Sequence, residues 1–136
     1  MKTKLSLIIM LLYSCWLYAT PRTPKQALEI AQAFVASHGL IKSDDAPQLQ
    51  LMNSEITITR GPEIYPAYYI INIEKDNGFI IVSGNDCARE ILAYSDRGSI
   101  DIKQLPPNAK YWLEFYATEM QQINQKSISG ENQSES

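Results

Sequence analysis

Apolar residues change their period along this chain, and the changes divide it into helical and extended stretches. Beyond Thr23, the positions Ala27, Ile30, Ala31 and Phe34 recur three and four residues apart, with Leu28 and Val35 widening the stripe; that is one face of an α-helix. Thr23-Pro24-Lys25-Gln26 predicts the start, since Thr23 can cap, Pro24 suits the first helical position and Gln26 can reach back. Gly39 predicts the stop. Alternation then takes over. Gln48 to Leu51 and Ile56 to Thr59 each read as a short strand with one face in water, the second ended by Arg60-Gly61-Pro62. Ala67 to Ile73, a turn at Lys75-Asp76-Asn77-Gly78, and Phe79 to Val82 predict a hairpin. The run Phe79-Ile80-Ile81-Val82 has no polar member, which predicts a central strand covered on both faces. Ser83 to Asp86 breaks the pattern, Ile91 to Tyr94 resumes it, and Asp96 to Ser99 closes it. The last helix is marked by Ala109, Trp112, Leu113, Tyr116, Met120 and Ile123, spaced as one apolar face.

These elements predict an α+β fold: a small antiparallel sheet of about four strands packed with two main helices, both on one sheet face. Residues 20–126 form the domain, and the polar stretch 127–136 has too little apolar content to order itself. The first 19 residues read differently. Lys2 and Lys4 precede an apolar run from Leu5 to Leu12, short for a membrane span, and polar, proline-containing sequence follows from Thr20. That is the pattern of an export signal. Two processing motifs compete: Leu17-Tyr18-Ala19 suits ordinary cleavage, and Leu12-Tyr13-Ser14-Cys15 resembles a lipobox that would lipidate Cys15. Ordinary cleavage is the preferred reading, with attachment to a membrane expected only if Cys15 carries lipid. The expected location is the periplasm or the extracellular space, with an outer-membrane lipoprotein as the variant.

Charge and chemistry narrow the function by exclusion. With 12 basic and 15 acidic residues the net charge is −3, and no Lys/Arg run interrupts the chain, so no nucleic-acid partner is expected. One histidine, two cysteines and scattered carboxylates offer no metal cluster. Neither a phosphate-cradling loop nor a nucleophile elbow is present, and no cofactor is expected. Cys87 and His38 could in principle form a nucleophile and base, yet nothing stands out to orient His38. The plainer reading is a packed Cys87 in a loop and a surface His38 at a helix end. Asp44-Asp45 reads as a solvated turn. The balance favours a binding protein over an enzyme.

Several spaced segments carry a family likeness. Gly78-Phe79-Ile80-Ile81-Val82-Ser83-Gly84, Ile91-Leu92-Ala93-Tyr94-Ser95, Gly98-Ser99-Ile100-Asp101 and the Pro106-Pro107-Asn108 helix start with Trp112 and Tyr116 occur in one order. Together they resemble the prodomain of the streptopain family of secreted bacterial cysteine proteases. The likeness covers the second half of the domain well and the first helix weakly. It implies a small antiparallel sheet with helices, and a loop before the last helix that lies against the protease cleft. Asn108 falls where the family has an asparagine that disturbs the catalytic histidine. The flanking residues Gln104, Leu105, Pro106 and Pro107 would shape that loop, the prolines limiting its freedom. On the bare sequence Asn108 reads first as a helix cap; the resemblance reverses that order. Trp112 and Tyr116 read by spacing as core, ahead of a role as interface anchors.

The likeness has departures. Cys87 stands where relatives often carry a basic residue, and a short polar tail follows where the family places a catalytic domain. The resemblance therefore implies a stand-alone inhibitor acting in trans on a streptopain-like cysteine protease, and a monomer when free. Two other roles fit the same residues: a folding assistant for such a protease, and a non-catalytic envelope protein that binds another ligand.

Overall fold

The computed structural model describes residues 20–40, 48–52, 56–86 and 88–134. The export and lipidation motifs, the Asp44-Asp45 turn and Cys87 lie outside them. Among the described residues, no helix is long and apolar enough to cross a membrane.

Helix α1 spans Pro24–Ser37 and begins as its sequence dictates. Thr23 Oγ1 accepts from the Gln26 amide at 3.2 Å, and the Thr23 amide donates back to Gln26 Oε1 at 2.9 Å. Two amide donors that a helix start leaves open are thereby satisfied. Six strands follow: β1 (Leu49–Met52), β2 (Thr57–Arg60), β3 (Glu63–Pro66), β4 (Tyr68–Ile73), β5 (Phe79–Ser83) and β6 (Ile91–Ser95). Helix α2 spans Pro107–Ser134. Strands β1, β4, β5 and β6 form one antiparallel sheet in the order β1-β4-β5-β6, and β2 pairs with β3 in a separate two-stranded ribbon.

Antiparallel pairing sends alternate side chains to opposite faces, and both faces of the central strands are filled. Tyr69, Ile71, Ile73, Ile80 and Val82 pack with Ala27, Ala31 and Val35 of α1. Tyr68, Ile70 and Ile81 pack with Leu113, Ala117 and Met120 of α2, together with Ile58 and Tyr65 of the ribbon. The expectation that both helices share one sheet face is thus corrected: α1 covers one face, and α2 with the ribbon covers the other. The mostly apolar character of β4 and β5 has this cause, because a strand between two layers has no side for water. Strand β3 has no alternating signature and was not expected. The ribbon places Ile58 and Tyr65 under α2, extending the layer past the four-stranded sheet.

Two glycines of the shared motif bracket β5. A Cβ on Gly84 would lie 1.9 Å from the Pro66 carbonyl oxygen, and one on Gly78, where φ is +125°, 2.1 Å from that of Ser95. Only a residue without a side chain lets these backbones approach. The turn before Gly78 is not the two-residue hairpin its Asn-Gly pair suggests. A short 3-10 turn over Glu74–Asp76 takes Lys75 and Asp76 to positive φ instead. Helical backbone also continues through Ser134, over residues whose composition predicts disorder. Propagating an existing helix needs no new nucleus.

Candidate functional site

The segment from Gly98 to Asn108 is fastened to the sheet at its start and runs into α2 at its end. Its near end is stitched to the β4–β5 turn. The Gly78 amide donates to the Gly98 carbonyl at 2.9 Å, the Gly98 amide to Asp76 at 2.8 Å, and Ser99 Oγ to Asp76 Oδ1 at 2.7 Å. The buried Asn72 then acts as a strand residue would. Its Nδ2 donates to the Ile100 carbonyl at 2.8 Å, and its Oδ1 accepts from the Ile100 amide at 2.9 Å. Asp101 opens a short 3-10 turn over Ile102–Gln104, accepting from the Lys103 amide at 2.9 Å. Each residue of Gly98-Ser99-Ile100-Asp101 therefore has a structural role, and together they fix where the five residues that follow Lys103 begin.

Those five are Gln104 to Asn108. Leu105 turns inward, half-buried against the core beneath α2, where it also lines a groove of about 390 Å³ with Ile56, Tyr68, Ile102 and Leu113. Gln104, Pro106, Pro107 and Asn108 are exposed. The geometry is a lip pegged by one leucine. Pro106 and Pro107 fix two φ angles and lack amide donors, so the lip is stiff and solvent need not satisfy those positions. Pro107 is the first residue of α2, where a missing N–H costs nothing.

Asn108 sits within the first turn of α2 rather than ahead of it. A capping asparagine stands outside the helix and accepts from an amide two or three residues on. Asn108 does not hold that place, and its side chain makes no hydrogen bond to any other described residue. Its amide offers both a donor and an acceptor to solvent. The capping explanation, which the sequence allowed, is thus set aside by the position of the helix start.

Helix α2 continues from Asn108 with apolar residues on two sides. Leu113, Ala117, Met120 and Asn124 face the core. Tyr111, Trp112 and Phe115 face outward, 71%, 43% and 54% exposed, and Ile123 follows them at 47%. The expected face of Ala109, Trp112, Leu113, Tyr116, Met120 and Ile123 is therefore split. Leu113 and Met120 are buried, Ala109 and Tyr116 lie at the boundary, and Trp112 and Ile123 are turned away. The rings of Trp112 and Tyr116 stack with centroids 6.3 Å apart, bridging the two sides. Burial pushes the Tyr116 hydroxyl up to about 12, against an opposing pull from Arg22, so it stays neutral across the physiological range.

The inward side of α2 holds a polar cluster that apolar spacing does not reveal. The Tyr65 hydroxyl accepts from Asn124 Nδ2 at 2.6 Å and from Asn85 Nδ2 at 3.1 Å, all three being buried. Gln121 pairs with Thr59 of β2 through its amide, accepting from the Thr59 nitrogen at 2.8 Å and donating to its carbonyl at 3.0 Å. These contacts fix the rotation of α2 about its axis, and with it the direction in which Asn108 and Phe115 point.

The remaining candidates lie elsewhere. His38 caps the exposed end of α1, stacked on Phe34 at 3.9 Å and sharing its Nδ1 with Ser37 Oγ at 2.8 Å. That is the surface position expected of it. Two open grooves of about 700 and 720 Å³ border α1 and β6 and share Phe34, Glu90 and Ile91. They border the α1 side of the sheet, share no lining residue with the lip and gather no convergent reactive groups. Among the described residues, no cluster of three metal-ligating side chains occurs.

Residues 19–120 match the family described as the Spi protease inhibitor, a span that includes the whole sheet, the lip and the exposed aromatics. The chain belongs to that family. Membership places it among protease inhibitors and not among enzymes. Over 112 residues it is also 25% identical to the thiol protease/hemagglutinin PrtT of Porphyromonas gingivalis. That alignment covers 82% of this chain and only 13% of the relative, so the chain spans a small part of that protein's length. No solved structure matches. The family match agrees with the resemblance carried by the β5, β6 and Pro-Pro-Asn motifs.

Proposed function

We propose that this chain inhibits a streptopain-like, papain-fold cysteine protease by seating the lip Gln104–Asn108 in the enzyme's active-site cleft. The observation that carries the reading is the exposed Asn108 amide, held on a stiff double-proline lip and unengaged by the rest of the described fold. Membership in a protease inhibitor family and the partial likeness to a thiol protease support it. Cysteine protease chemistry needs a thiolate and an imidazole within hydrogen-bond reach. A carboxamide can donate to one and accept from the other while presenting no scissile bond in line for attack. Asn108 held at the catalytic histidine keeps the pair apart. Leu105 serves from below, its burial keeping the lip from collapsing, while Gln104, Pro106 and Pro107 meet the cleft walls. Because the prolines restrict the lip before binding, little conformational entropy remains to be lost on insertion. The same reading has the chain exported, through cleavage after Ala19 or lipidation at Cys15, and monomeric until it meets its target.

The test is inhibition of streptopain, PrtT and papain by the purified protein and by Asn108→Ala. The parent inhibits at least one of the first two, and the variant loses roughly 30-fold or more in potency. Its melting temperature is unchanged, since exposed substitutions usually stay within about 0.5 kcal/mol. Equal potency of parent and variant would remove Asn108 from the mechanism. A rise in refolding yield of the protease, without inhibition of the mature enzyme, would assign the chain a folding role instead.

A further inference from the structure

We infer that the outward face of α2 is a second contact surface for the target protease, outside its cleft, anchored by Tyr111, Trp112 and Phe115. The inference rests on the inhibitory reading and adds the partner surface that reading lacks. Its first ground is placement. From Asn108, steps of three and four residues lead to Tyr111, Trp112 and Phe115, and onward to Ile123, so the blocking amide and the aromatics share one side of one helix. Over that span the stripe is ~22 Å long. A rigid helix carries the lip and the aromatic face as one body, and a protease that accepts Asn108 has its rim against this face.

The second ground is size. A stable protein–protein contact engages about 20–30 residues and ~800 Å² on each side. The lip offers five residues, one of them turned inward. It needs more surface beside it. The three aromatics expose roughly 300 Å² of ring between them, continuous with the lip and bordered by the exposed Glu114, Thr118 and Glu119. An apolar centre with a polar border is the anatomy of a protein interface, and tryptophan and tyrosine are the residues most often dominant in binding.

The third ground is that the layer beneath α2 is filled, among the described residues, without Tyr111 or Phe115. Leu113, Ala117 and Met120 already fill the space beneath α2. Scattered exposed apolar side chains are ordinary on any surface. Tyr111 and Phe115 stand clear of the core and Trp112, stacked on Tyr116, lies between them, so three aromatics within five consecutive positions form a patch rather than a scatter.

The experiment compares the full chain with the triple variant Tyr111→Ala, Trp112→Ala, Phe115→Ala and with the single variant Phe115→Lys, against streptopain and PrtT. Both variants melt within about 2 °C of the parent, and the triple variant inhibits at least ~100-fold less well, chiefly through faster dissociation. The triple variant also loses affinity for protease whose catalytic cysteine is replaced by alanine, which separates docking from blockade. If the parent inhibits and both variants match it, the aromatic face is not a contact and the lip alone stands. If the parent inhibits neither protease, the inhibitory reading falls and the docking face with it. If the parent sediments as a dimer that the triple variant abolishes without loss of inhibition, a second copy covers the face and the inference is overturned.

Discussion

The two helices cover opposite faces of one sheet, yet they use their apolar residues differently. Helix α1 spends them inward. Ala27, Ala31 and Val35 are buried, Leu28, Ile30 and Phe34 pack at the margin, and no large apolar residue of the helix is exposed. Helix α2 buries Leu113, Ala117 and Met120 and still displays Tyr111, Trp112, Phe115 and Ile123. Folding explains the whole pattern of α1. For α2 it explains half. A helix whose apolar content exceeds what its core can take has a surplus that the fold does not account for. Here that surplus lies beside Asn108, whose side chain makes no hydrogen bond to another described residue. The contrast separates residues that make this domain stable from residues available to make it bind.

Substitutions on α2 sharpen that contrast. The largest effect is expected from Leu113→Ala, which removes a fully buried side chain from between α2 and the sheet. It should cost about 3 kcal/mol in denaturant unfolding. At temperatures where the fold survives, inhibitory potency should change little. If potency falls while the protein is fully folded, inward and outward sides are not separable.

Gln121→Ala comes next. It removes the paired hydrogen bonds to Thr59 that hold α2 to the β2–β3 ribbon. A loss of about 1–2 kcal/mol is expected. A helix freer to roll should also present Asn108 and Phe115 less uniformly, so this variant should lose some potency where Leu113→Ala does not. Comparison of inhibition by the two folded variants measures whether helix rotation matters.

The smallest effect is an alkaline one. Burial raises the Tyr116 hydroxyl from an ordinary 10.0 to about 12. The unfolded chain then loses this proton at a lower pH than the folded chain does. Stability from this group is whole below pH ~10 and declines as pH climbs toward about 12. Tyr116→Phe should flatten that decline without changing stability at pH 7 by more than about 1 kcal/mol. Burial raises Tyr69 as well, so a residual slope should remain. Unfolding curves across the alkaline range, parent against variant, decide the matter.

Much of the architecture could be read before any coordinates. The start of α1 was written in Thr23-Pro24-Gln26, because a cap depends on residues adjacent in sequence. Five of the six described strands and the buried centre of the sheet were visible in alternation, in the hairpin pattern and in the run Phe79 to Val82. The helix start at Pro106-Pro107-Asn108 was visible as a local signal, while the reading of the preceding loop as a lip came from the family resemblance. What failed was non-local. Strand β3 is ordered by its pairing with β2 and by Tyr65 beneath α2, and nothing in Glu63-Ile64-Tyr65-Pro66 announces it. The placement of the helices on opposite faces required knowing which alternate residues of β4 each helix meets.

The rotation of α2 is the sharpest case. Its sequence has apolar residues around more than half of its circumference, and spacing alone cannot say which of them face inward. Local sequence was enough to mark a helix opening at Pro106-Pro107-Asn108 and the aromatics that follow it. That Leu113 faces the sheet while Phe115 faces water emerged only from packing in three dimensions. The physical reason is that Asn124 and Gln121, both polar, fasten the inner side. Asn124 donates to Tyr65 and Gln121 pairs with Thr59, partners 59 and 62 residues away along the chain. Periodicity registers apolar side chains, and here the bonds that set the helix's orientation come from polar ones.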